Sequence, residues 1–306
     1  MWTYLARRLL LAVLVIAGVS LITFMLAYQV PADPARVYAG SNASAQTVAS
    51  IRKQLGLDRP VPIQYLDYVG RAIHGDFGTS YRLQTPVLSA ITSRFPYTLA
   101  LGAAGILVEL LIGIPIGIVS AVRPRSWLDR GAMGFAMLGV AAPQFWLGLV
   151  LLYTFGYLVP IFPLGLAQSP SSIVLPAITV GLSGGVWYAR VLRSSMLETL
   201  GAEYVRTARA KGLPSILVIL RHALPNAITP IVTQIGLDMA YFLVGIVVVE
   251  SVFGWPGIGQ LAYQAIQNDD IPLIMGTVLF SAVIIVLINI LVDVLYAVLN
   301  PRVVYN

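Results

Sequence analysis

Six long apolar stretches constrain this 306-residue chain more than any other feature of its sequence. An α-helix needs about 20 residues to cross roughly 30 Å of hydrocarbon, and each stretch has about that length or more. Only 10% of the residues are charged, whereas soluble domains carry about 25%. The sequence therefore predicts an all-α membrane protein with six transmembrane helices. Their expected positions are near 9–30, 98–122, 132–159, 173–192, 227–249 and 273–299.

The basic residues predict which helix ends face the cytoplasm. Twelve of the 19 lysines and arginines lie before the first stretch, between the second and third, between the fourth and fifth, or after the sixth. The other seven lie in segment 31–97, which is long enough to be translocated regardless of its charge. Because short basic loops stay in the cytoplasm, we expect both termini to be cytoplasmic. The first stretch is expected to remain as a membrane helix, since its apolar core is longer than that of a signal peptide.

Segment 31–97 is predicted to be a small, mostly helical extracytoplasmic insertion. Ser44 is suited to cap a helix that runs to about Leu55. Further apolar side chains recur at helical spacing, at Ile63, Leu66, Val69 and Ile73. The expected organisation is a first transmembrane helix at 1–30, the insertion at 31–97 and a five-helix core at 98–306.

The composition excludes several classes of site. The chain has no cysteine and only two histidines, and these fall in different loops, so we expect no metal bound by this chain. It has no Gly-x-x-x-x-Gly-Lys-Ser/Thr sequence, so we expect no nucleotide and no other cofactor on it. Its basic residues do not alternate with aromatic ones as in a nucleic-acid groove, so no nucleic acid is expected as a partner.

The sequence Gly181-Leu-Ser183-Gly-Gly185 matches the pattern around a serine nucleophile. Such a serine needs a base within hydrogen-bonding reach, and both histidines belong to loops outside the stretch. Small residues at this spacing let membrane helices approach closely. We therefore interpret this segment as a helix-packing surface, and the chain as not an enzyme.

A cationic loop at about 193–226 separates the fourth and fifth stretches. Its central part reads Glu203-Tyr-Val-Arg-Thr-Ala-Arg-Ala-Lys-Gly212 and is followed by Leu224-Pro225. We expect residues 200–213 to form a short cytoplasmic helix, because the loop is too polar for lipid. Gly212 is expected to end that helix, as glycine commonly does.

This loop resembles the docking loop of permeases from ATP-binding-cassette (ABC) importers. The departures from the common motif are Arg206, where the motif has glutamate, and Thr207, where it has alanine. This variant is similar to that of permeases for dipeptides, oligopeptides, nickel and glutathione. The resemblance implies contact with an ATPase subunit. The residues concerned are Glu203, Arg206, Ala208, Arg209, Lys211, Gly212, Leu224 and Pro225.

Two further segments resemble the same family. Residues 253–259, Phe-Gly-Trp-Pro-Gly-Ile-Gly, follow Glu250 as in a signature of these permeases. Irregular backbone at membrane depth must be buried in protein or line a cavity, so we expect Glu250, Trp255 and Pro256 to shape a gate. Residues 75–78, Gly-Asp-Phe-Gly, form either a turn between helices or a contact for a solute-binding protein.

Polar side chains inside the apolar stretches are candidates for the translocation pathway. Glu109 and Asp238 are carboxylic acids within such stretches, where a charge is costly unless it is paired or reaches water. Asp238 is either part of the pathway or a partner for a neighbouring helix. Gln234 and Tyr241 share its helical face. Gln144 follows Pro143, at which we expect the third helix to kink.

Together these motifs imply a permease subunit with the type I ABC importer fold, which supplies half of the pathway for a peptide or related solute. The implied partners are a second, homologous permease, two ATPases that hold ATP and Mg²⁺, an extracytoplasmic solute-binding protein and membrane lipid. The implied location is the inner or plasma membrane of a bacterium or archaeon. The alternative is a secondary transporter or channel, which is expected to show inverted repeats. The two halves show none, because 31–97 has no counterpart.

Overall fold

The computed structural model of the chain describes residues 2–28, 33–40, 42–243 and 246–299. Within these residues the secondary structure is helical, apart from an isolated β-bridge between Thr79 and Pro86. The α-helices are α1 (Trp2–Tyr28), α2 (Pro34–Ala39), α3 (Ala45–Gln54), α4 (Val61–Ile73), α5 (Val87–Val122), α6 (Trp127–Ala141), α7 (Gln144–Leu152), α8 (Val174–Leu200), α9 (Glu203–Ala210), α10 (Ser215–Leu217), α11 (Leu224–Ala227), α12 (Thr229–Leu243), α13 (Val247–Val252), α14 (Ile258–Gln267) and α15 (Ile271–Leu299). Residues Tyr153–Leu158 and Val218–Ala223 are π-helical, and Pro170–Ile173 form a 3₁₀ turn.

Four uninterrupted helices among the described residues are long and apolar enough to cross a membrane. Their spanning parts are Arg7–Leu26, Val87–Val122, Pro170–Leu200 and Ile271–Val292. They coincide with the first, second, fourth and sixth predicted stretches. The all-α membrane fold is therefore confirmed.

The third and fifth predicted helices are interrupted. Proline restricts the residue before it to extended backbone, and Ala142 accordingly has a ψ of 127°. The kink expected at Pro143 is thus a complete break between α6 and α7. The helical part Thr229–Phe242 of the fifth stretch is bent by 49° from Ser215–Ala227, which belongs almost wholly to the cationic loop, and the two count as one span only if taken together. The interruption expected in the third stretch is therefore present, as a break rather than a bend.

The chain divides into two compact units. The first unit comprises Met1–Thr98, Leu243–Val247 and Pro256–Asn306, and the second comprises Leu99–Phe242 and Val248–Trp255. The domain boundaries expected from the sequence stay a prediction.

The first unit is organised around the packing of α1 along α15. Ser44 caps α3, as expected, by accepting a hydrogen bond from the Thr47 amide at 3.1 Å. Helix α4 covers Phe24 of α1 and Leu279 of α15 through Tyr68. Most of the apolar stripe expected on this helix does not pack into the protein core, because Ile63, Leu66 and Ile73 are exposed.

The second unit is built on the close approach of α5 and α8. Both helices carry glycines where they meet, at Gly105, Gly113 and Gly117 of α5 and at Gly181, Gly184 and Gly185 of α8. A Cβ added at Gly117 would lie 2.9 Å from the Leu192 Cβ, closer than real Cβ atoms come. The adjoining core contains Tyr188 and Leu192 of α8 with Ala227 and Ile231 of α11 and α12.

Candidate coupling surface and intramembrane polar site

Helix α9 lies in the cationic loop, inside the range 200–213 expected from the sequence. Val205 and Ala208 point inward and pack with Val218 of the π-helical segment. Arg206 and Arg209 lie on the exposed side. A helix of eight residues is marginal by itself, so these apolar contacts hold it on the second unit and fix which side of it faces outward.

Gly212 ends α9 through its backbone conformation. Its φ is +76°, in the left-handed region that side chains disfavour. Its amide donates to the Arg209 carbonyl at 3.0 Å, while the amide of Lys211 donates to the Thr207 carbonyl at 3.1 Å. A Cβ at Gly212 would meet no atom within 4 Å, so backbone strain rather than crowding selects glycine here.

Leu224 and Pro225 connect the loop to the core. Leu224 packs against the cluster that contains Met196 and Ala227, and Pro225 is the second residue of α11, which directly continues the π-helical segment. Glu203 pairs with Arg206 at 3.1 Å, but both side chains are exposed, so the pair contributes about 1 kcal/mol at most. Of the eight residues expected in the coupling loop, Ala208 is thus buried and Leu224 half-buried, whereas the other six are exposed.

Large apolar side chains lie exposed next to the basic face of α9. They are Tyr204, Leu213, Ile216, Leu217 and Leu220. Exposed apolar groups rimmed by polar ones mark interaction surfaces. We call α9 together with these side chains the coupling surface.

Asp238 is held by hydrogen bonds from two directions. The Tyr188 hydroxyl of α8 donates to Oδ2 at 2.6 Å, and Gln234 Nε2, one turn earlier on α12, donates to Oδ1 at 3.0 Å. Tyr188 is fully buried. Of the two roles left open by the sequence, these contacts favour pairing with a neighbouring helix. Tyr241 is 66% exposed, and its ring lies 5.9 Å from that of Phe242.

Glu109 of α5 is buried beside α8. A Cβ added at Gly184 would overlap its carboxyl group. Its Oε2 has no hydrogen-bond partner within the described part of the chain. Gly184 of α8 therefore leaves space for the Glu109 carboxyl group, whereas the other glycines of this contact leave space for the backbone or aliphatic side chains of the facing helix.

The glycines around Ser183 support the interpretation of this segment as a packing surface. A Cβ at Gly181 would lie 2.9 Å from the Gly105 carbonyl oxygen, and one at Gly185 would lie 3.0 Å from the Ile112 Cβ. The segment lies within α8, whereas a nucleophile elbow requires a sharp turn between strand and helix. The local structure thus differs from a nucleophile elbow.

The gate residues expected from the sequence lie in different local settings. Glu250 of α13 is fully buried, and its carbonyl accepts the amide hydrogen of Trp255 at 2.8 Å. Gly254 reaches a φ of +59° in the turn between them. Pro256 is half-buried, and Gln144 is half-buried at the start of α7. The contacts thus join Glu250 to Trp255 and Gln234 to Asp238.

An ion pair between α6 and α8 went unnoticed in the sequence. Arg193 donates to Asp129 through Nε at 2.7 Å and through a terminal nitrogen at 2.8 Å. This contact, with a hydrogen bond from the Arg125 amide, holds the pKa of Asp129 below its ordinary value. The signal was Ser126 three residues before Asp129, a helix-capping pattern. Indeed Ser126 caps α6.

A second unnoticed carboxylate, Asp270, anchors part of the insertion in the first unit. It accepts hydrogen bonds from the Ser80 hydroxyl at 2.5 Å and from the amides of Tyr81 and Arg82 at 3.1 Å each. Burial, together with the charge of Asp270, raises the pKa of Tyr81 to about 12. The signal was an aspartate directly before Ile271-Pro272, the pattern of a helix N-cap.

Two family patterns match the chain. The pattern described as "Binding-protein-dependent transport system inner membrane component" matches residues 113–305. The pattern for the N-terminal part of such membrane components matches residues 1–102.

Curated proteins resemble the chain over its whole length. The probable D,D-dipeptide transport system permease protein DdpB of Escherichia coli (strain K12) is 40% identical, with 99% of this chain and 97% of that protein covered. The glutathione transport system permease protein GsiC of Salmonella typhi is 40% identical over the full length of both chains.

Among solved structures, a chain of the MetNI methionine ABC transporter in an inward-facing conformation has a similar fold. The TM-score is 0.55 at 22% identity, covering 70% of this chain and 97% of that chain. A second crystal form of the same transporter gives a TM-score of 0.56 at 18% identity, covering 68% of this chain and 95% of that chain.

Proposed function

The chain belongs to the family of binding-protein-dependent transport system inner membrane components, and from this premise we propose which solute it carries and how it is coupled to ATP. It is the permease subunit of an ABC importer, with the type I permease fold, and ATP hydrolysis belongs to separate subunits. The alternative of a secondary transporter or channel is thereby set aside.

We infer that the coupling surface docks on an ATPase. The observation that carries this proposal is α9 itself, which is anchored by Val205 and Ala208 and presents Arg206 and Arg209 outward. A helix that is anchored in this way transmits a movement of the ATPase to the permease better than a flexible loop does. Apolar side chains such as Tyr204 and Ile216 supply the contact area that charged groups alone do not give.

The proposed cargo is a short peptide or a peptide-like molecule. Support comes from the full-length identity of 40% to relatives named for a D,D-dipeptide and for glutathione. Both molecules combine amide groups with charged termini. The pathway candidates are Gln144, Gln234, Asp238, Tyr241, Glu250, Trp255 and Pro256, and their polar groups suit such a cargo.

The proposed assembly contains a second, homologous permease, two ATPases that bind ATP and Mg²⁺, and an extracytoplasmic solute-binding protein. The chain is proposed to lie in a bacterial inner membrane with both termini in the cytoplasm. Closure of the ATPases around ATP would draw the coupling surfaces together and open the pathway outward. Hydrolysis would then return it to the inward-facing state.

Replacement of Gly212 by valine tests the coupling surface. A β-branched residue at a φ of +76° is strongly disfavoured, so the end of α9 must rearrange at a cost of roughly 1–2 kcal/mol or more. We expect ATP hydrolysis stimulated by the loaded binding protein to fall about tenfold, since 1.4 kcal/mol corresponds to that factor. The measurement uses the complex in proteoliposomes, with D-Ala-D-Ala and reduced glutathione as cargo probes.

The matched control is Gly201→Val in the same loop. Gly201 has an ordinary φ of −83°, and a Cβ there would come no closer than 3.4 Å to the Glu198 carbonyl oxygen. We expect this variant to retain stimulation. Normal stimulation in a fully assembled Gly212→Val complex would overturn the docking proposal, and failure of both probes to stimulate the unmodified complex would overturn the cargo proposal.

A further inference from the structure

Helix α4 of the insertion has three distinct faces, although a helix at a protein–water boundary needs only two. Its buried face carries Tyr65, Tyr68, Val69 and Ala72. Its polar face carries Gln64, Asp67 and Arg71, and its third face carries Ile63, Leu66, Gly70 and Ile73. Leu66 is 67% exposed and Ile73 is 77% exposed. Helical spacing of three and four residues separates these sets cleanly around the axis.

The buried face of α4 contacts residues that lie inside the membrane-spanning helices. The Tyr65 hydroxyl is hydrogen-bonded to the Ser20 hydroxyl at 2.9 Å. Ser20 lies within the apolar span Arg7–Leu26 of α1. At 1.5 Å per residue, it is about 9 Å along the helix axis from Leu26. Leu279 of α15, which packs with Tyr68, lies eight residues inside its own span.

An apolar groove runs along one flank of α4. It has a volume of about 410 Å³, and it is bounded by Val69, Ala72 and Ile73 of α4, by Val13, Ile16, Ala17 and Ser20 of α1, and by Leu279 and Val283 of α15. Val13 is 65% exposed and continues into the exposed apolar surface of α1. The groove therefore opens onto a surface that has the character of a lipid contact.

The opposite flank of α4 borders charged side chains. A cleft of about 930 Å³ there is lined by Asp67 and Arg71 of α4 and by Arg52, Lys53 and Arg59 of the preceding segment. Arg59 pairs with Asp67 at 2.8 Å, and both side chains are more than half exposed. One flank of α4 thus suits water, while the other flank and the outward face suit hydrocarbon.

We propose that α4 is an interfacial membrane helix, with Ile63, Leu66 and Ile73 in contact with lipid and the apolar groove occupied by a phospholipid acyl chain. Helices of this type bury their apolar face about 5–10 Å into the boundary between headgroups and chains. The contacts of Tyr65 with Ser20 and of Tyr68 with Leu279 place α4 alongside the apolar spans of α1 and α15. The inference rests on the proposed function only for the leaflet, which is the outer one if the termini are cytoplasmic. Segment 31–97 is then partly a membrane element rather than wholly an aqueous domain.

Site-directed fluorescence tests this placement. Because the chain has no cysteine, an introduced one is the only cysteine of this subunit, and it is labelled before the complete transporter is assembled. Leu66→Cys is labelled with bimane, and Asp67→Cys on the neighbouring polar face is the matched control. Both variants are reconstituted as the complete transporter in vesicles of phosphatidylcholine and phosphatidylglycerol. Doxyl groups on the acyl chains serve as the quencher from lipid, and iodide serves as the quencher from water.

The proposal predicts opposite responses of the two labels. Leu66→Cys should be quenched by doxyl lipid and protected from iodide, and Asp67→Cys should show the reverse. For the groove, Ala72→Trp should reduce the phospholipid that remains bound to the detergent-purified complex by about one molecule, as counted by native mass spectrometry, whereas Gly70→Trp should not.

Three outcomes would overturn the proposal. Quenching of the Leu66 label by iodide as strong as that of the Asp67 label would place α4 in water. Protection of the Leu66 label from both quenchers would show that the partner permease covers this face. Unchanged lipid retention in a fully assembled Ala72→Trp complex would leave the groove without an acyl chain. None of these results bears on ATP coupling, which the Gly212 variants test separately.

Discussion

Asp238 illustrates how a carboxyl group within a membrane-spanning segment is accommodated by its neighbours. Removal of one donor from such a group leaves it short of a hydrogen bond, at a cost of about 1–3 kcal/mol. The donor from Tyr188 belongs to a different helix, and it therefore also ties α12 to α8. Gln234 cannot replace that tie, because it lies on the same helix as Asp238.

We predict that Tyr188→Phe lowers the yield and the thermal midpoint of the assembled complex. The substitution removes only the hydroxyl group from a fully buried ring, so packing is retained and the lost hydrogen bond to Asp238 accounts for the effect. The control is Tyr241→Phe, since that side chain is 66% exposed. Equal stability of the two variants would contradict a structural role for the Tyr188–Asp238 pair.

The substitution Asp238→Asn distinguishes a role in helix pairing from a role in the translocation pathway. If the carboxyl group serves pairing, complex yield falls and uptake per assembled complex is retained. Normal yield with lost uptake would instead place Asp238 in the pathway.

For single residues, the sequence predicted where helices begin and end better than it predicted which distant side chains bind each other. The helix end at Gly212 and the cap at Ser44 follow from local chemistry, and both were expected. The pairing of Asp129 with Arg193 joins residues 64 positions apart, and that of Ser80 with Asp270 joins residues 190 apart. Local pattern indicates that a carboxylate caps a helix, but not which distant side chain binds it.

At the scale of elements, the α5–α8 contact shows that a glycine pattern in a membrane helix has a specific counterpart. Without hydrophobic driving force between helices in lipid, close packing must supply the attraction. Gly184 allows this only because its missing side chain leaves space for Glu109.

We predict that Gly113→Ala destabilises the protein by about 1–3 kcal/mol, the usual cost of overpacking a core. A Cβ at Gly113 of α5 would lie 2.8 Å from the backbone carbonyl oxygen of Gly185 in α8. Gly131→Ala is the control, because a Cβ at this exposed position of α6 would meet nothing within 4 Å and alanine favours a helix by about 0.5–1 kcal/mol over glycine. Thermal unfolding in detergent, followed by size-exclusion fluorescence, measures both. A Gly113→Ala midpoint equal to that of Gly131→Ala would contradict the tight α5–α8 contact.

The lengths of the apolar stretches predicted the membrane helices, but local sequence predicted only some of the breaks in them. Pro143 indicated a kink because it lacks an N–H and restricts the backbone of Ala142. The π-helical segments at Tyr153–Leu158 and Val218–Ala223 have no comparable signal. The outward apolar face of α4 was visible as a stripe, but a stripe does not tell whether protein or lipid will cover it.

At the scale of the whole molecule, orientation decides whether the coupling surface reaches its ATPase. The distribution of 19 basic residues predicts that α9 lies in the cytoplasm and α3 outside. Because ATP is cytoplasmic, the proposed coupling requires this orientation, whereas the fold alone permits either.

We predict that a membrane-impermeant maleimide labels Gln46→Cys in intact cells without treatment and labels Ser215→Cys only after permeabilisation. Gln46 is an exposed residue of α3, and Ser215 is an exposed residue after α9. The cysteine-free chain is the blank for both. The reverse labelling would turn Arg206 and Arg209 away from the cytoplasmic ATPase. It would thus contradict the ATP coupling proposed for this chain and would move α4 to the inner leaflet, while the contacts of α4 with α1 and α15 would remain as described.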